Sequence, residues 1–305
     1  MQKTQEEDQF RKHLVEQILA LAILEDLGPG PLDVTSAATV SGSKKCRARL
    51  ELKESSVICG LNIIETVVKC LAPHQSEIVV TELVEEGQYV EVPAEKGVVI
   101  VATIEADSQT LLAAERLSLN LIQRMCGVAT LARRYTAKAA PHGIEILDTR
   151  KTMPGLRVFD RRAVLAGGGT NHRFGLFDAI LIKDNHVQAA GGVGKAVQAA
   201  QQYLKSAGGS ALANKNIEVE VTNFDELKEA LDARAERVML DNMPPEMVRR
   251  AVAMVADSGH KCFIEVSGGI NEANLESYLI AGVNAISIGA ITHSAKNMDL
   301  SLEFD

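Results

Sequence analysis

The residues best suited to chemistry fall in short clusters along the second half of the chain. Asp148-Thr149-Arg150-Lys151 comes first, then His172-Arg173 in a glycine-rich stretch and Lys183-Asp184-Asn185-His186. Glu220 within IEVEV, Asp241-Asn242, Ser267-Gly268-Gly269 and Gly289 follow. Arginine forks grip carboxylate or phosphate bidentately, whereas lysine supplies a compact charge. Arg150, Lys151, His172, Arg173 and Lys183 therefore make a receptor for a ligand with several anionic groups. Glu220 and Asp241 are acids in this cationic company. They could hold a divalent metal, hydrogen-bond sugar hydroxyls, or stabilise positive charge developing on carbon. Ser267-Gly268-Gly269 suits a phosphate: glycine lets the backbone approach, and the N-terminus of a helix expected from Asn271 favours an anion. Gly289-Ala290 repeats that permissive geometry, and GGGTNHRFG (167–175) is a loop flexible enough to carry His172 and Arg173 over the site.

Charge distribution sharpens this reading. The 305-residue chain has a net charge of −8, which argues against nucleic-acid binding. From Arg133 to Lys183, however, ten Lys and Arg face four acids, so this window is +6 and the rest of the chain −14. A basic island in an acidic protein points to a local anionic ligand, with Asp148, Asp160 and Asp184 available to pair some of the cations. The five cysteines form no CxxC and fit neither a disulfide framework nor a zinc site; free thiols in a reducing cytoplasm are expected. The cleanest apolar run, Val98–Ile104, is far short of the ~20 residues needed to span a membrane. The amino terminus lacks the apolar core of a secretory signal. GxSxG is absent, which disfavours a hydrolase triad, and GxGxxG is absent, which disfavours a dinucleotide fold.

The elements that must position these residues divide the chain. Up to residue 127 the pattern is mixed α+β: a helix over 10–27 ended by Gly28-Pro29, an alternating strand at 46–53, strands at 56–59, 78–83 and 98–104, and a helix over 61–71. EEGQYVEV (85–92) reads as a tight hairpin, and Ser108 as the cap of a helix through Met125. After Gly127 a second helix (128–140) leads into alternating strands and helices. Strands are expected at 144–147, 179–183, 217–221, 237–240, 262–266 and 285–288, with helices at 157–166, 190–206, 223–235, 244–256 and 271–281. That alternation implies a parallel sheet with right-handed crossovers, and six such strands favour an incomplete TIM-like barrel. The polar clusters lie at the carboxyl ends of those strands, the face on which such barrels carry their sites. The domains expected are 1–127, joined by the tail 291–305, and a barrel over 128–290.

DTRKTMPGLR (148–157), GGGTNHRFGL (167–176), LIKDNH (181–186), IEVEV (217–221), MLDNM (239–243), EVSGGI (265–270) and SIGA (287–290) resemble the quinolinate phosphoribosyltransferase family, the carboxylating nicotinate-nucleotide pyrophosphorylases. The resemblance extends to LDVTS (32–36) and ERLSLNLIQRMCGVAT (115–130), and so covers nearly the whole chain; residues 207–216 resemble a longer surface loop than is usual. It implies an α/β fold, with an open-faced α/β sandwich packed on the incomplete barrel, and a cytoplasmic homodimer with shared active sites. By resemblance, Arg116 reaches the partner's site. Arg150, His172, Arg173 and Lys183 grip the two carboxylates of quinolinate, and Lys151 meets pyrophosphate. Glu220 and Asp241 take the ribose hydroxyls and Mg2+, and Ser267, Gly268, Gly269 and Gly289 hold the phosphates of phosphoribosyl pyrophosphate. No organic cofactor is implied. The alternatives are a paralogue on the same scaffold (molybdenum-transport-associated or nicotinate-using), an aldolase-like barrel with Lys183 as Schiff base, and a non-catalytic metabolite-binding subunit.

Overall fold

The computed structural model describes residues 2–30, 32–41, 44–71, 77–95, 97–206 and 216–305. Apart from Asn216, the long loop expected at 207–216 lies outside the described residues. The chain forms two compact units, Met1–Arg133 with Thr152–Gly168 and Ser294–Asp305, and Arg134–Lys151 with Gly169–His293. Residues 152–168, which the sequence reading assigns to the 128–290 domain, thus cluster with the first unit.

The first unit opens with α1 (Gln2–Leu27) and α2 (Val34–Thr39), then β1 (Lys45–Leu52), β2 (Ser56–Val57), α3 (Ile63–Leu71), β3 (Val79–Glu82), β4 (Tyr89–Val90), β5 (Val99–Asp107) and α4 (Ser108–Ala139). α1 stops where Gly28, at φ 75°, returns its N–H to the Leu24 carbonyl. Asp33 of LDVTS caps α2 by accepting from Thr35 and Ser36 N–H. β12 (Leu300–Phe304), from the tail, completes an antiparallel sheet in the order β12-β1-β5-β3. Ala48, Leu50 and Leu52 of β1 and Leu300 and Leu302 of β12 are buried, while Arg47 and Glu303 stay exposed and Arg49 reaches Asp305 at 2.9 Å. One face of the sheet is therefore core and the other is solvated.

Three local expectations are corrected. EEGQYVEV does not fold back as a hairpin: β4 pairs with β2, and Gly87 donates to the Ile58 carbonyl at 2.8 Å. Gly127 does not break the helix either. α4 runs through it, because a Cβ there would lie 1.9 Å from the Lys296 carbonyl oxygen; the glycine admits a crossing chain. Asp107, rather than Ser108, supplies the cap, its Oδ1 accepting from Thr110 N–H at 3.0 Å. α5 (Arg157–Ala166) is anchored to α4 by a two-pronged pair in which Arg124 donates to the fully buried Asp160 at 2.7 and 2.8 Å.

The second unit is built on β6 (Glu145–Leu147), β7 (Ile180–Ile182), β8 (Ile217–Val221), β9 (Arg237–Asp241), β10 (Phe263–Ser267) and β11 (Ala285–Ser287). All pairings are parallel, in the order β6-β11-β10-β9-β8-β7. Placing β6 beside β11 is the circular order of a barrel, and the missing β6–β7 pairing is what leaves it incomplete. Thr170 occupies that edge of β6 through a parallel bridge to Leu147. Crossovers run through α6 (Asp184–Ala190), α7 (Val193–Ser206), α8 (Phe224–Asp232), α9 (Pro245–Asp257) and α10 (Leu275–Tyr278), and α11 (Ala290–His293) follows β11. The helix expected over 190–206 is split by Gly191 and Gly192, both at positive φ. The helix expected over 271–281 shrinks to α10. Asn271 Oδ1 accepts from Ala273 N–H and Asn274 Nδ2 donates to the Gly269 carbonyl, so these amides compete with the first helical turn.

No helix among the described residues is long and apolar enough to cross a membrane. All five cysteines are free; burial pushes the Cys126 thiol up to about 12 and raises that of Cys59 further. Gly127→Ala should lower stability by ~2–4 kcal/mol, since backbone faces the added methyl and must move. Thermal or denaturant melts of the variant will measure this, and a loss below ~0.5 kcal/mol would mean the tail is not held against α4.

Candidate active site

Parallel strands put their carboxyl ends on one face, and the second unit gathers there Arg150, Lys151, Lys183, Glu220, Asp241, Ser267, Gly268, Gly269 and Gly289. His172 and Arg173 join them from the loop after Thr170. Arg116 belongs to the first unit, where it is exposed on α4 and lies 4.0 Å from Glu115.

The basic island sorts into two groups. Arg133 stacks on Tyr89, Arg134 pairs with Glu272 at 2.8 Å, Lys138 with Glu276 at 3.2 Å, and Arg162 with Glu86 through two bonds of 2.6 and 2.5 Å. These cations are structural. Asp160 is taken by Arg124, and Asp148 accepts the His172 N–H at 2.7 Å. The cations at the strand ends are Arg150, Lys151, Arg173 and Lys183.

Arg173 is the most informative of them. One guanidinium nitrogen donates to the Ala179 carbonyl at 3.1 Å, while buried Nε has no hydrogen-bond partner among the described residues. Burial and the neighbouring Arg150 charge lower its pKa, against the opposing pull of the Glu218 and Asp178 carboxylates.

Lys183 and Glu220 meet at 2.5 Å across the neighbouring strands β7 and β8. Asp241, at the end of β9, accepts from Asn242 Nδ2 at 2.6 Å. Asn242 itself sits at φ 54°, and its N–H donates to the Ser267 carbonyl at 2.8 Å. That arrangement packs Asn242 against Gly268: at φ 100°, a Cβ on Gly268 would come within 2.3 Å of Asn242 Oδ1 and 2.7 Å of its backbone nitrogen. Gly269 continues the turn at φ 64°. At Gly289 a Cβ would stand 2.9 Å from Cδ of Lys151, so the lysine stem lies across the glycine and its ammonium is set beside the turn after β11. α10 begins only at Leu275, so no helix dipole starts at Asn271.

Below the mouth lies a cluster that sequence reasoning missed. Glu218 of β8 and Glu265 of β10 are 4% and 0% exposed, two residues before Glu220 and Ser267. His172 Nε2 is 3.0 Å from Glu218 and 3.5 Å from Glu265, and Arg237 of β9 is 3.6 Å from each carboxylate. Arg237 also stacks 3.9 Å over the Phe263 ring. Burial opposes the imidazolium of His172, but the Glu218 and Glu265 hydrogen bonds outweigh it and lift the pKa to about 9. Nε2 of that ring donates to Glu218, and Nδ1 lies 2.7 Å from the Arg173 nitrogen. Burial would also raise Glu218, yet His172 and Arg237 prevail and hold it below the usual range; burial and the Glu218 charge leave Glu265 above it. The signal was present: Glu218 and Glu220 in IEVEV, Arg237 and Asp241 in RVMLD and Glu265 in FIEVS share one parity in register, hence one face of adjacent strands.

Gly268→Ala should lower kcat/KM at least ~100-fold, because both the φ and the Asn242 contact forbid the methyl. Steady-state kinetics on folded protein will measure it; near-normal activity would place the Gly268 turn outside the reacting geometry.

Comparison with known proteins places this architecture. Residues 33–126 match the family model for the quinolinate phosphoribosyl transferase N-terminal domain, and residues 128–303 that for its C-terminal domain. A protein of Bacillus subtilis named probable nicotinate-nucleotide pyrophosphorylase [carboxylating] is 39% identical over 95% of this chain and 93% of its own. One of Methanocaldococcus jannaschii with the same name is 35% identical over 94% and 96%. The solved structure of the nicotinate-nucleotide pyrophosphorylase from Francisella tularensis superposes with a TM-score of 0.83 at 35% identity, covering 96% of both chains.

Proposed function

The chain belongs to the quinolinate phosphoribosyltransferase family, and from that premise we propose how its strand-end residues divide the work of the reaction. The enzyme transfers phosphoribosyl from phosphoribosyl pyrophosphate to the ring nitrogen of quinolinate and releases carbon dioxide, giving nicotinate mononucleotide and pyrophosphate for de novo NAD biosynthesis. The observation that carries the assignment of roles is the Arg150–Arg173 pair, with buried Nε of Arg173 unpartnered. A dicarboxylate is the ligand it fits.

In this reading Arg150, Arg173 and Lys183 hold the two carboxylates of quinolinate, with His172 beneath them. Lys151, laid across Gly289, faces the pyrophosphate, and Ser267, Gly268 and Gly269 cradle phosphate through the backbone. Glu220 and Asp241, on adjacent strands, offer hard oxygen donors of the kind that Mg2+ takes when substrate oxygens complete its shell. When bound, that ion neutralises charge on the departing pyrophosphate.

As the anomeric C–O bond breaks, the ribose ring gains oxocarbenium character that Glu220 and Asp241 stabilise. The pyridine nitrogen lone pair forms the new C–N bond. The now cationic ring then accepts the electron pair of the adjacent C–C bond as carbon dioxide leaves, and a proton replaces it. Clamping both partners in line is the main contribution asked of the cations, an effect that reaches ~7–11 kcal/mol in well-aligned systems.

The proposal extends to a homodimer in which exposed Arg116 completes the partner's site, and to a cytoplasmic location, which the free thiols suit. Mixing inactive Arg116→Ala and Lys151→Ala proteins should then restore about a quarter of wild-type activity, since half the dimers are hybrids with one intact site each. No recovery after verified subunit exchange would refute sharing.

The reaction itself is tested by supplying phosphoribosyl pyrophosphate and Mg2+ with either quinolinate or nicotinate. Carbon dioxide and nicotinate mononucleotide should form from quinolinate alone. Product from nicotinate would transfer the chain to a non-carboxylating paralogue, and binding without turnover would make it a metabolite-binding subunit.

A further inference from the structure

Among the described residues, Arg234 at φ 59° and Asn242 at φ 54° hold a left-handed backbone without being glycine. Arg234 lies just past the end of α8, where a reversed residue commonly closes a helix. Asn242 closes no helix. It follows Asp241 at the end of β9 and precedes Met243, which is buried in the core. Glycine would make that turn without strain, whereas asparagine, though favoured over other side chains there, makes it at a cost. The side chain therefore needs a reason of its own, and burial is not that reason, because Asn242 is exposed.

Its neighbours supply one. Asn242 Nδ2 donates to Asp241 Oδ2 at 2.6 Å, and its N–H donates to the Ser267 carbonyl at 2.8 Å. An ionised carboxylate only accepts, so the NH2 end of the amide must face Asp241. The amide oxygen is then set against Gly268, close enough to exclude a Cβ there. One side chain thus spans two paired strand ends, the acid of β9 and the glycine turn of β10. We propose that Asn242 is a positioning residue for phosphoribosyl pyrophosphate: it holds Oδ2 of Asp241, leaving Oδ1 for the ligand, and sets the Gly268 turn that receives phosphate. Turn formation alone is the weaker account. Glycine would meet it better, and aspartate, of equal size, also enters this region of backbone space. Neither gives Asp241 the amide donor, and an ionised aspartate would set a second carboxylate against the first.

The inference rests on the reading that puts Asp241 at phosphoribosyl pyrophosphate, so Asp241→Ala is the reference. It should lower kcat/KM for that substrate about 100-fold or more, while calorimetry finds the quinolinate Kd within about threefold of wild type. An undiminished value would remove Asp241 from the site, and the inference with it. Asn242→Gly keeps the backbone turn and should melt like wild type. It should lower kcat/KM for phosphoribosyl pyrophosphate about tenfold or more and leave the quinolinate Kd within about threefold. Calorimetry with Mg2+ present should show its Kd for phosphoribosyl pyrophosphate raised about fivefold or more. In an Asp241→Ala background the same substitution should cost about threefold at most, because the amide has no carboxylate left to hold. With the reference behaving as expected, three results would overturn the inference: wild-type values for Asn242→Gly, equal weakening of both substrates, or losses that simply add in the double variant. If Asn242→Gly does not fold, Asn242→Asp decides the matter. A loss selective for phosphoribosyl pyrophosphate supports the role, and wild-type values or equal losses for both substrates end it.

Discussion

Two carboxylates with almost no access to water sit inside the six-stranded sheet, and the rest of the second unit is arranged around keeping them there. Removing an ion from water costs several kcal/mol even after relaxation, so Glu218 and Glu265 require partners that reach them through the barrel interior. Arg237 arrives from β9, between them in the sheet. The second partner arrives from a loop. Thr170 pairs with β6 at one edge of the sheet, yet His172, two residues on, reaches β8 and β10. Only a curled sheet brings those elements together across its concave face. A conventional barrel fills that space with layers of branched apolar side chains. Here a charged layer takes their place directly under the strand ends, so the support of the site and the core of the barrel are the same residues.

The surface charges obey a complementary logic. Cations with a structural task have found planar or ion-pair partners, as Arg162 with Glu86, Arg124 with Asp160 and Arg134 with Glu272. The Arg150 charge instead lowers the pKa of Arg173, whose buried Nε has no hydrogen-bond partner among the described residues. An excess that sequence counting spread over fifty residues is thereby concentrated at one mouth, where low local dielectric and fixed donors make it effective against an anion.

The sequence disclosed the site better than it disclosed its support. Strand ends were legible because β6 to β11 are short apolar runs followed at once by polar or glycine residues, and the chain alternates strand and helix. Glu218, Glu265 and Arg237 were hidden because a charged residue inside a strand normally marks a solvated face, and only the curl of the sheet turns that face inward. Gly127 misled in the opposite direction. Glycine is a poor helix former, so it reads as a break; its real reason is the Lys296 carbonyl, distant in sequence. The Asn271 turn failed as a helix for local reasons, since paired asparagine side chains captured the backbone groups that a first turn would use.

This chemistry has no use for a protein nucleophile, and the two most buried thiols and Lys183 are poorly suited to that role. Cys59 and Cys126 are buried thiols driven toward their neutral forms, which are inert. Lys183 is partly exposed and bound to Glu220 at 2.5 Å, so it lacks the apolar enclosure of a Schiff-base lysine, and the aldolase-like reading loses its central residue. What the mouth has is fixed position: a lysine stem held across Gly289, a glycine turn locked against Asn242, and an arginine tied to the Ala179 carbonyl. Those constraints cost conformational freedom in the free protein, before any substrate binds. A transfer in which two anionic reactants must be brought in line against their mutual repulsion is the kind of reaction in which that prior ordering returns as rate.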